Sequence, residues 1–243
     1  MSALTRDRLL QVSTATLTTV LFKHGFRNTF LQGLRPLGAT HRMVGPAYTL
    51  RYIPSREDLD PLKVFEDRKH PQRVAIEECP AGHVLVIDSR GDATAASSGN
   101  LLVTRLMKRG GAGIVTDGGF RDSPEIAAMD FPAWHVRPSA PTNLIRHHAA
   151  DVNLPIGCAG VAIYPGDVMV ADGEGVVCIP RHLADQVAAE AYEQTIYEDW
   201  VGERINAGVG LFGLYPATDP EQRAAFAAWK GAQSARYPLR PKS

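Results

Sequence analysis

Apolar residues over the first two dozen positions recur at roughly helical spacing: Leu9, Leu10, Val12, Leu17, Val20 and Leu21 within LTRDRLLQVSTATLTTVLFKHG. They predict one amphipathic opening helix from Leu4 to about His24, with Gly25 ending it. The pattern then changes to β-formers, and HRMVGPAYTLRYIP (41–54) predicts a strand with a Gly-Pro bend. Residues 55–73 are charged and predict a loop with a short helix.

The centre of the chain has a sharper rhythm. HVLVIDSRGD (83–92) is a short apolar strand that ends at Asp88 and a Gly-Asp turn. SSGNLLVTRLMKRGG places Leu101, Leu102, Leu106 and Met107 on one helical face, with Gly110 and Gly111 as terminators, and AGIVTD (112–117) is a further buried strand. Strand, helix and strand with short joints make a βαβ unit, whose strands should be parallel and whose crossover right-handed. SPEIAAM then predicts a short helix and PAWHV a strand. VAIYPGDVMVADGEGVVCIP gives three short β segments broken by PGD and DGEG, as in a meander with hairpin turns. A long helical pattern runs from about Arg181 to Asn206, followed by a Gly/Pro-interrupted arm and a tail, SARYPLRPKS, expected to fray.

A chain of 243 residues fits one large domain, or a domain with an appended arm. Lys plus Arg and Asp plus Glu both number 26, which leaves no basic footprint for nucleic acid or for a membrane surface. A small molecule or another protein is the expected partner. Charges occur within the first eight residues, and no apolar run approaches the ~20 residues of a membrane span, so a soluble, cytoplasmic protein is expected. Cys79, Cys158 and Cys178 are widely spaced, odd in number and without a C-x-x-C pair, and read as buried thiols.

Among candidate chemistry, the eight histidines show no H-x-H or H-E-x-x-H spacing, and the His147–His148 pair sits in a polar stretch of helical appearance. A hard divalent ion on carboxylates and water is the better expectation, since Asp88, Asp92, Asp117 and Asp122 all fall at or just after strand ends. In DGGFRDSPE, Asp122 precedes Ser-Pro-Glu and has the form of an N-cap, with Glu125 completing a capping box. Arg121 follows two glycines that would let backbone approach a ligand, and a guanidinium can hold a carboxylate in a bidentate fork. In SGNLLV, Asn100 reads as a plain N-cap, which would leave the N–H groups of Leu101, Leu102 and Val103 free at the helix start as an anion site. One helix plus one strand separates Asn100 from Arg121, so the crossover should return Arg121 to the edge where that helix begins.

Taken in order, GLRPLGATHRMVGPAYTLRY, GHVLVIDSRGD, SGNLL, GGAGIVTDGGFRDSPEI, FPAWHV, VNLPIGCAGVAIYPGDVMVADGEGVVCIP and RINAG resemble the RraA-like family, over roughly residues 10–210. That family includes the class II 4-hydroxy-4-methyl-2-oxoglutarate aldolases and proteins that inhibit ribonuclease E. The resemblance implies an α/β fold of the β/β/α swivelling type over 1–180, with a C-terminal helix and arm (181–243) contributing to a subunit interface in homotrimers or homohexamers. It implies that Arg121 binds the pyruvyl carboxylate and the developing enolate, and that Asp122 holds Mg²⁺ or Mn²⁺, mostly through water. Gly99, Asn100 and the amides of Leu101 and Leu102 would bind substrate, and an acid from a neighbouring subunit, Glu198 or Asp199 by position, would complete the site.

In one respect the sequence departs from the aldolases, which have aspartate where this chain has Asn100. Asn cannot serve as the same base, and Asp88 or Asp92 is the nearby carboxylate that would replace it. The expected activity is a metal-dependent carbon–carbon lyase that releases pyruvate from a 2-oxo acid and also decarboxylates oxaloacetate. No lysine looks placed for a Schiff base. The alternatives are a protein-binding regulator of ribonuclease E, or an aldolase or hydratase of a sugar-derived 2-oxo acid.

Overall fold

The computed structural model describes residues 1–39, 42–233 and 236–237. The opening segment is two helices rather than one, α1 (Ala3–Leu9) and α2 (Thr14–Lys23). Ser13 causes the break: its hydroxyl accepts the Thr16 N–H at 3.0 Å and starts a second helix, a local bond that competes with continuing the first. Thr14 is anchored as well, its N–H and hydroxyl donating to Asp172 at 2.7 and 2.8 Å.

Short strands β1 (Phe30–Leu31) and β2 (Arg35–Leu37) precede the 12-residue β3 (Met43–Pro54). The strand expected over 41–54 is therefore present, its first residue lying outside the described residues. The charged stretch holds a 3₁₀ turn at Leu62–Glu66 and then α3 (Pro71–Glu78), with Pro71 in the first turn where its missing N–H costs nothing. Next come β4 (Val84–Asp88), β5 (Ala96–Ser98), α4 (Asn100–Lys108), β6 (Gly113–Thr116), β7 (Gly119–Phe120), α5 (Ser123–Ala127), β8 (Ala133–His135) and β9 (Arg137–Pro138). A turn at Asn143–Ile145 leads into β10 (His147–Val152), so the His147–His148 pair lies on a strand and not in a helix. Pairing with the end of β3, His147 against Pro54, overrides local propensity there. The chain continues through β11 (Ile156–Cys158), β12 (Val161–Ile163), β13 (Val168–Ala171), β14 (Val176–Ile179), α6 (Ala184–Asn206) and α7 (Pro220–Ala232). DGEG closes the β13–β14 hairpin, whereas PGD joins β12, paired with β11, to β13, paired with β3. Of the tail expected to fray, all but Arg236 and Tyr237 lies outside the described residues.

Among the described residues the main sheet runs β1-β14-β13-β3-β4-β6-β8-β2, with β10 added along β3. The β3, β4, β6 and β8 pairings are parallel, as the βαβ pattern requires, and the rest are antiparallel. Alternation with period two sorts the strands between cores. Val84, Val86, Val115, Met169, Ala171 and Val176 point into one cluster on the inside of the curled sheet. Leu85, Ile87 and Ile114 point outward under α3, α4 and α5, and Val168, Val170, Val177 and Ile179 outward under α1, α2 and α6. Along α6, Val187, Ala188, Ala191, Tyr192 and Ile196 are buried in that last cluster. The three cysteines are free and buried. No helix among the described residues is long and apolar enough to cross a membrane.

Candidate functional site

The two motifs singled out in the sequence meet through a small separate sheet, β5-β7-β9. Parallel pairing of β5 with β7 sets Ser98 opposite Phe120, and the Arg121 N–H donates to the Ser98 carbonyl at 3.1 Å. Gly99–Asn100 is thereby laid beside Arg121–Asp122. The meeting is as expected; the device is this short ladder, not the ends of β4 and β6.

Asp122 stands at the N-cap position of α5, but in left-handed backbone geometry (φ 54°, ψ 38°) and with no side-chain cap bond. Its carboxylate turns instead to the other helix, where Oδ2 accepts the Asn100 N–H at 3.2 Å. The capping box is thus a correction: Asp122 caps α4 from across the site. Asn100 is corrected likewise, since Gly99 is the N-cap of α4 and Asn100 its first helical residue. The Val103 N–H is not free either, because it donates to the Gly99 carbonyl at 3.1 Å. The open donors at this helix start are Leu101 and Leu102, and Leu101 is 80% exposed.

Arg121 Nε lies 3.6 Å from Asp122 Oδ1. A Cβ on Gly99 would come 2.7 Å from Arg121 Cγ and 2.9 Å from Asp122 Oδ2, so this glycine admits both side chains to the helix start. Gly118 and Gly119 serve a different purpose from the ligand approach expected of them. A Cβ there would strike Ser97 Oγ at 2.4 Å or Ser139 Cβ at 2.6 Å, so they are packing glycines. Behind them the hydroxyls of Ser89, Ser97 and Thr116 are linked at 2.7 Å each, and Thr116 Oγ1 accepts the Gly118 N–H.

The cleft at this junction has a volume of about 240 Å³, below the size of most drug-binding pockets and suited to a small metabolite. Gly99, Asn100, Leu101, Leu102, Arg121 and Asp122 all line it. It also takes in residues the sequence reasoning did not single out: Phe65, Gln72, Arg73, Ser98 and Asn143. Arg73 lies over the Phe65 ring, 4.4 Å from its centroid, and burial pulls its guanidinium below the ordinary arginine value. Gln72 forms the back wall, donating to Tyr52 Oη at 2.9 Å and to the Ser97 carbonyl at 3.0 Å. The one available signal was Pro71 just ahead of the apolar positions Val74, Ala75 and Cys79, which marks a helix start at the end of the stretch read as a loop with a short helix. A larger hollow of about 540 Å³ between α2 and Phe30 has Arg27 and Glu174 as its only charged lining residues.

The other aspartates are employed elsewhere. Asp117 accepts the N–H groups of Ser89, Gly91 and Ala159 at 2.6, 2.9 and 3.1 Å. Burial, with the nearby Asp88 charge, raises its carboxyl pKa against the pull of those bonds. Asp88 accepts from the Arg90 and Gly157 amides, and Asp92 from Thr94. None of the three lines the cleft, so Asp88 and Asp92 do not supply the carboxylate that Asn100 lacks. Glu198 and Asp199 lie on α6; Glu198 accepts from Thr16 at 2.9 Å and Asp199 from Tyr237 at 2.5 Å. Neither reaches the cleft of its own chain.

Asp122 is the sole carboxylate of the cleft lining, and no lysine lines it. Among the described residues no three His, Cys, Asp or Glu side chains are grouped to hold a metal. Soft or zinc-type ligation does not fit this set. A hard divalent ion does, because Mg²⁺ keeps several waters and takes one or two carboxylates plus ligand oxygens, and Asp122 lines the cleft with the 3.6 Å approach of Arg121 as the one ion pair of its carboxylate among the described residues.

A family description, RraA-like (Aldolase/RraA), matches residues 14–178. A protein of Halalkalibacterium halodurans named "Putative 4-hydroxy-4-methyl-2-oxoglutarate aldolase" is 34% identical over 158 residues, covering 65% of this chain and 69% of that one. Streptomyces coelicolor RraAS2, described as an unusual member of the RNase ES inhibitor RraA family, superimposes with a TM-score of 0.72 at 29% identity over 82% of this chain and 96% of its own. An uncharacterized protein from Pseudomonas syringae does so with a TM-score of 0.75 at 25% identity, over 88% and 98%. The match spans more than half of the 243 residues, the curled sheet with its outer helices is common to the solved structures, and the chain belongs to the RraA-like family.

Proposed function

We propose that this chain is a divalent-cation-dependent carbon–carbon lyase that releases pyruvate from a 2-oxo acid of the 4-hydroxy-4-methyl-2-oxoglutarate type, and that it also decarboxylates oxaloacetate. The observation that carries the reading is the convergence of the Arg121 guanidinium, the open amides of Leu101 and Leu102 and the Asp122 carboxylate on one small cleft. The aldolase name of the relative from H. halodurans supports it.

Arg121 pairs with the substrate's 1-carboxylate as a bidentate fork. Leu101 and Leu102 point their N–H groups from the helix start at the oxygen on C2, where negative charge develops. In the retro-aldol step the 4-hydroxyl loses its proton, the C3–C4 bond breaks, C4 becomes a carbonyl, and the bonding pair moves into the enolate at C2–C3. Protonation at C3 then gives pyruvate. Loss of CO₂ from oxaloacetate leaves the same enolate, so one set of donors serves both reactions. Asp122 would hold Mg²⁺ or Mn²⁺ here, and the ion would supply Lewis-acid polarisation of the 2-oxo group. Asn100 cannot accept the hydroxyl proton, and that role falls to Glu198 or Asp199 of a neighbouring copy in a trimer or hexamer. The likeness to RraAS2 favours a second reading, a protein that binds a ribonuclease of the E type, for which the arginine, carboxylate and amides in one cleft have no purpose. A third reading, an aldolase or hydratase of a sugar-derived 2-oxo acid, is favoured by Asn100.

The test is a pyruvate-release assay over oxaloacetate and several 4-hydroxy-2-oxo acids with Mg²⁺, Mn²⁺ or EDTA, comparing wild type with Arg121→Ala and Asp122→Ala. Loss of about 10²- to 10³-fold in each variant is expected, the scale of removing one donor from a developing oxyanion. Turnover in EDTA, or full activity in both variants, refutes the mechanism. No turnover together with tight ribonuclease binding favours the regulator.

A further inference from the structure

We infer that Arg73, with Ser98 and Asn143, forms a second subsite of this cleft that binds the distal carboxylate of a dicarboxylic 2-oxo acid and so selects among 2-oxo acids. The inference rests on the proposed function for what occupies the Arg121 end of the cleft. Three observations on the cleft lining carry it.

Two polar side chains there are almost fully buried and incompletely bonded. Ser98 is 4% exposed and Asn143 5% exposed, yet Ser98 Oγ and Asn143 Nδ2 have no hydrogen-bond partner among the described residues. A buried donor left unpaired is costly enough that such groups are normally satisfied, and here both belong to residues lining the cleft. Asn143 is also held in place: its Oδ1 accepts from Thr142 Oγ1 at 3.4 Å and its carbonyl takes the Arg146 N–H, which leaves the amide donors over.

Arg73 is the second observation. Its guanidinium is steadied by the Phe65 ring and partly desolvated, and no carboxylate among the described residues forms an ion pair with it. A partly desolvated guanidinium with no counter-charge in its own chain is a ready partner for an anion from outside it. The third is the balance of the lining, which sets two arginines against the one carboxylate of Asp122. With the neighbouring copy's acid engaged at the 4-hydroxyl, a ligand with a single carboxylate at Arg121 leaves Arg73 uncompensated. A ligand with a second carboxylate, reached by a chain short enough for a 240 Å³ cleft, neutralises it and gives the Ser98 and Asn143 donors an acceptor.

The experiment measures binding, so that it does not depend on turnover. Calorimetric affinities for 2-oxoglutarate and 2-oxopentanoate, which differ in having a carboxylate or a methyl group at the far end, are compared in Mg²⁺ for wild type, Arg73→Gln and Arg73→Lys. Wild type is expected to prefer 2-oxoglutarate by about 10- to 100-fold, the worth of a hydrogen bond to a charged group. Arg73→Gln should erase the preference while leaving 2-oxopentanoate binding unchanged, and Arg73→Lys should retain part of it. Equal affinities in wild type, a preference that survives in Arg73→Gln, equal loss of both ligands in that variant, or binding of neither ligand overturns the subsite. If the preference depends on Arg73 but no 2-oxo acid yields pyruvate, the subsite stands and the lyase reading falls. If pyruvate is released and the preference is absent, the reverse holds.

Discussion

Adding one methyl group at Gly99 tests the whole site. Its backbone (φ −134°, ψ 178°) lies in the extended region open to any residue, so Gly99→Ala brings no backbone strain. The new Cβ would stand 2.7 Å from Arg121 Cγ, 3.1 Å from its Cδ and 2.9 Å from Asp122 Oδ2. Carbon–carbon contacts settle at about 3.5–4.0 Å, so Cγ must retreat by about 0.8 Å or more. Because Cγ is only two bonds from Cα, the retreat turns χ1 and swings the guanidinium farther still. Overpacking costs about 1–3 kcal/mol, and the lower entropy of an unfolded chain with Ala returns about 0.4–1 kcal/mol. The fold should therefore survive with a loss of at most about 2.6 kcal/mol. A misplacement of about 1 Å in a reacting site costs about 10²-fold in rate. The assay is kcat/KM for pyruvate release alongside urea unfolding of the same preparation, with Gly157→Ala as control, since a Cβ there meets nothing within 4 Å. If Gly99→Ala retains kcat/KM within about threefold of wild type, or loses it only through a collapse in stability, the claim that this glycine seats Arg121 and Asp122 is wrong.

Two further outcomes follow from the same geometry. His135 is buried and stacked on Phe120, the residue before Arg121, and burial pulls its pKa down to about 4. Above pH 6.5 the ring is neutral in both folded and unfolded chains. Between pH 6.5 and 4 only the unfolded chain takes up the proton, so stability falls with pH by about 3 kcal/mol in total. Urea titrations at pH 7.5 and 4.5 should show His135→Gln escaping about 2–3 kcal/mol of the wild-type loss, and parallel losses would disprove it. Asn100→Asp installs the carboxylate that the resemblance assigns to the aldolases, at a helix start where negative charge is favoured by about 0.3–1 kcal/mol. Pyruvate release from 4-hydroxy-4-methyl-2-oxoglutarate should rise at least about tenfold, a floor set below the about 10²- to 10⁴-fold of a well-placed general base; unchanged or reduced release counts against Asn100 as the determinant of substrate choice.

Where periodicity is local, the fold is readable in the sequence. The βαβ unit of β4, α4 and β6 follows from two apolar runs and one helical face, and its strands are parallel as that pattern demands. The juxtaposition of Gly99–Leu102 with Arg121–Asp122 was legible for the same reason. What escaped depends on tertiary placement. Asp-Ser-Pro-Glu is a sound capping sequence, but the left-handed turn at Asp122 points its carboxylate at a helix 22 residues earlier in the chain. Arg73 is one charge in a charged stretch, and only the packing of α3 beside α4 and β10 brings it to the cleft. Ser13 shows the opposite failing: the helix-start signal was present, but the apolar spacing on either side masked it.

The left-handed backbone at Asp122 also bears on how such a protein drifts. Among residues with a side chain, aspartate and asparagine tolerate that conformation best, and glycine accepts it freely. Each is one base change from an aspartate codon, and each keeps the turn while discarding the charge. Here the cheapest replacements for the backbone are those that would silence the proposed chemistry. A lineage can thus step from catalyst to bare scaffold in a single substitution without passing through an unstable intermediate, and the surface left behind is free to be selected for holding another protein.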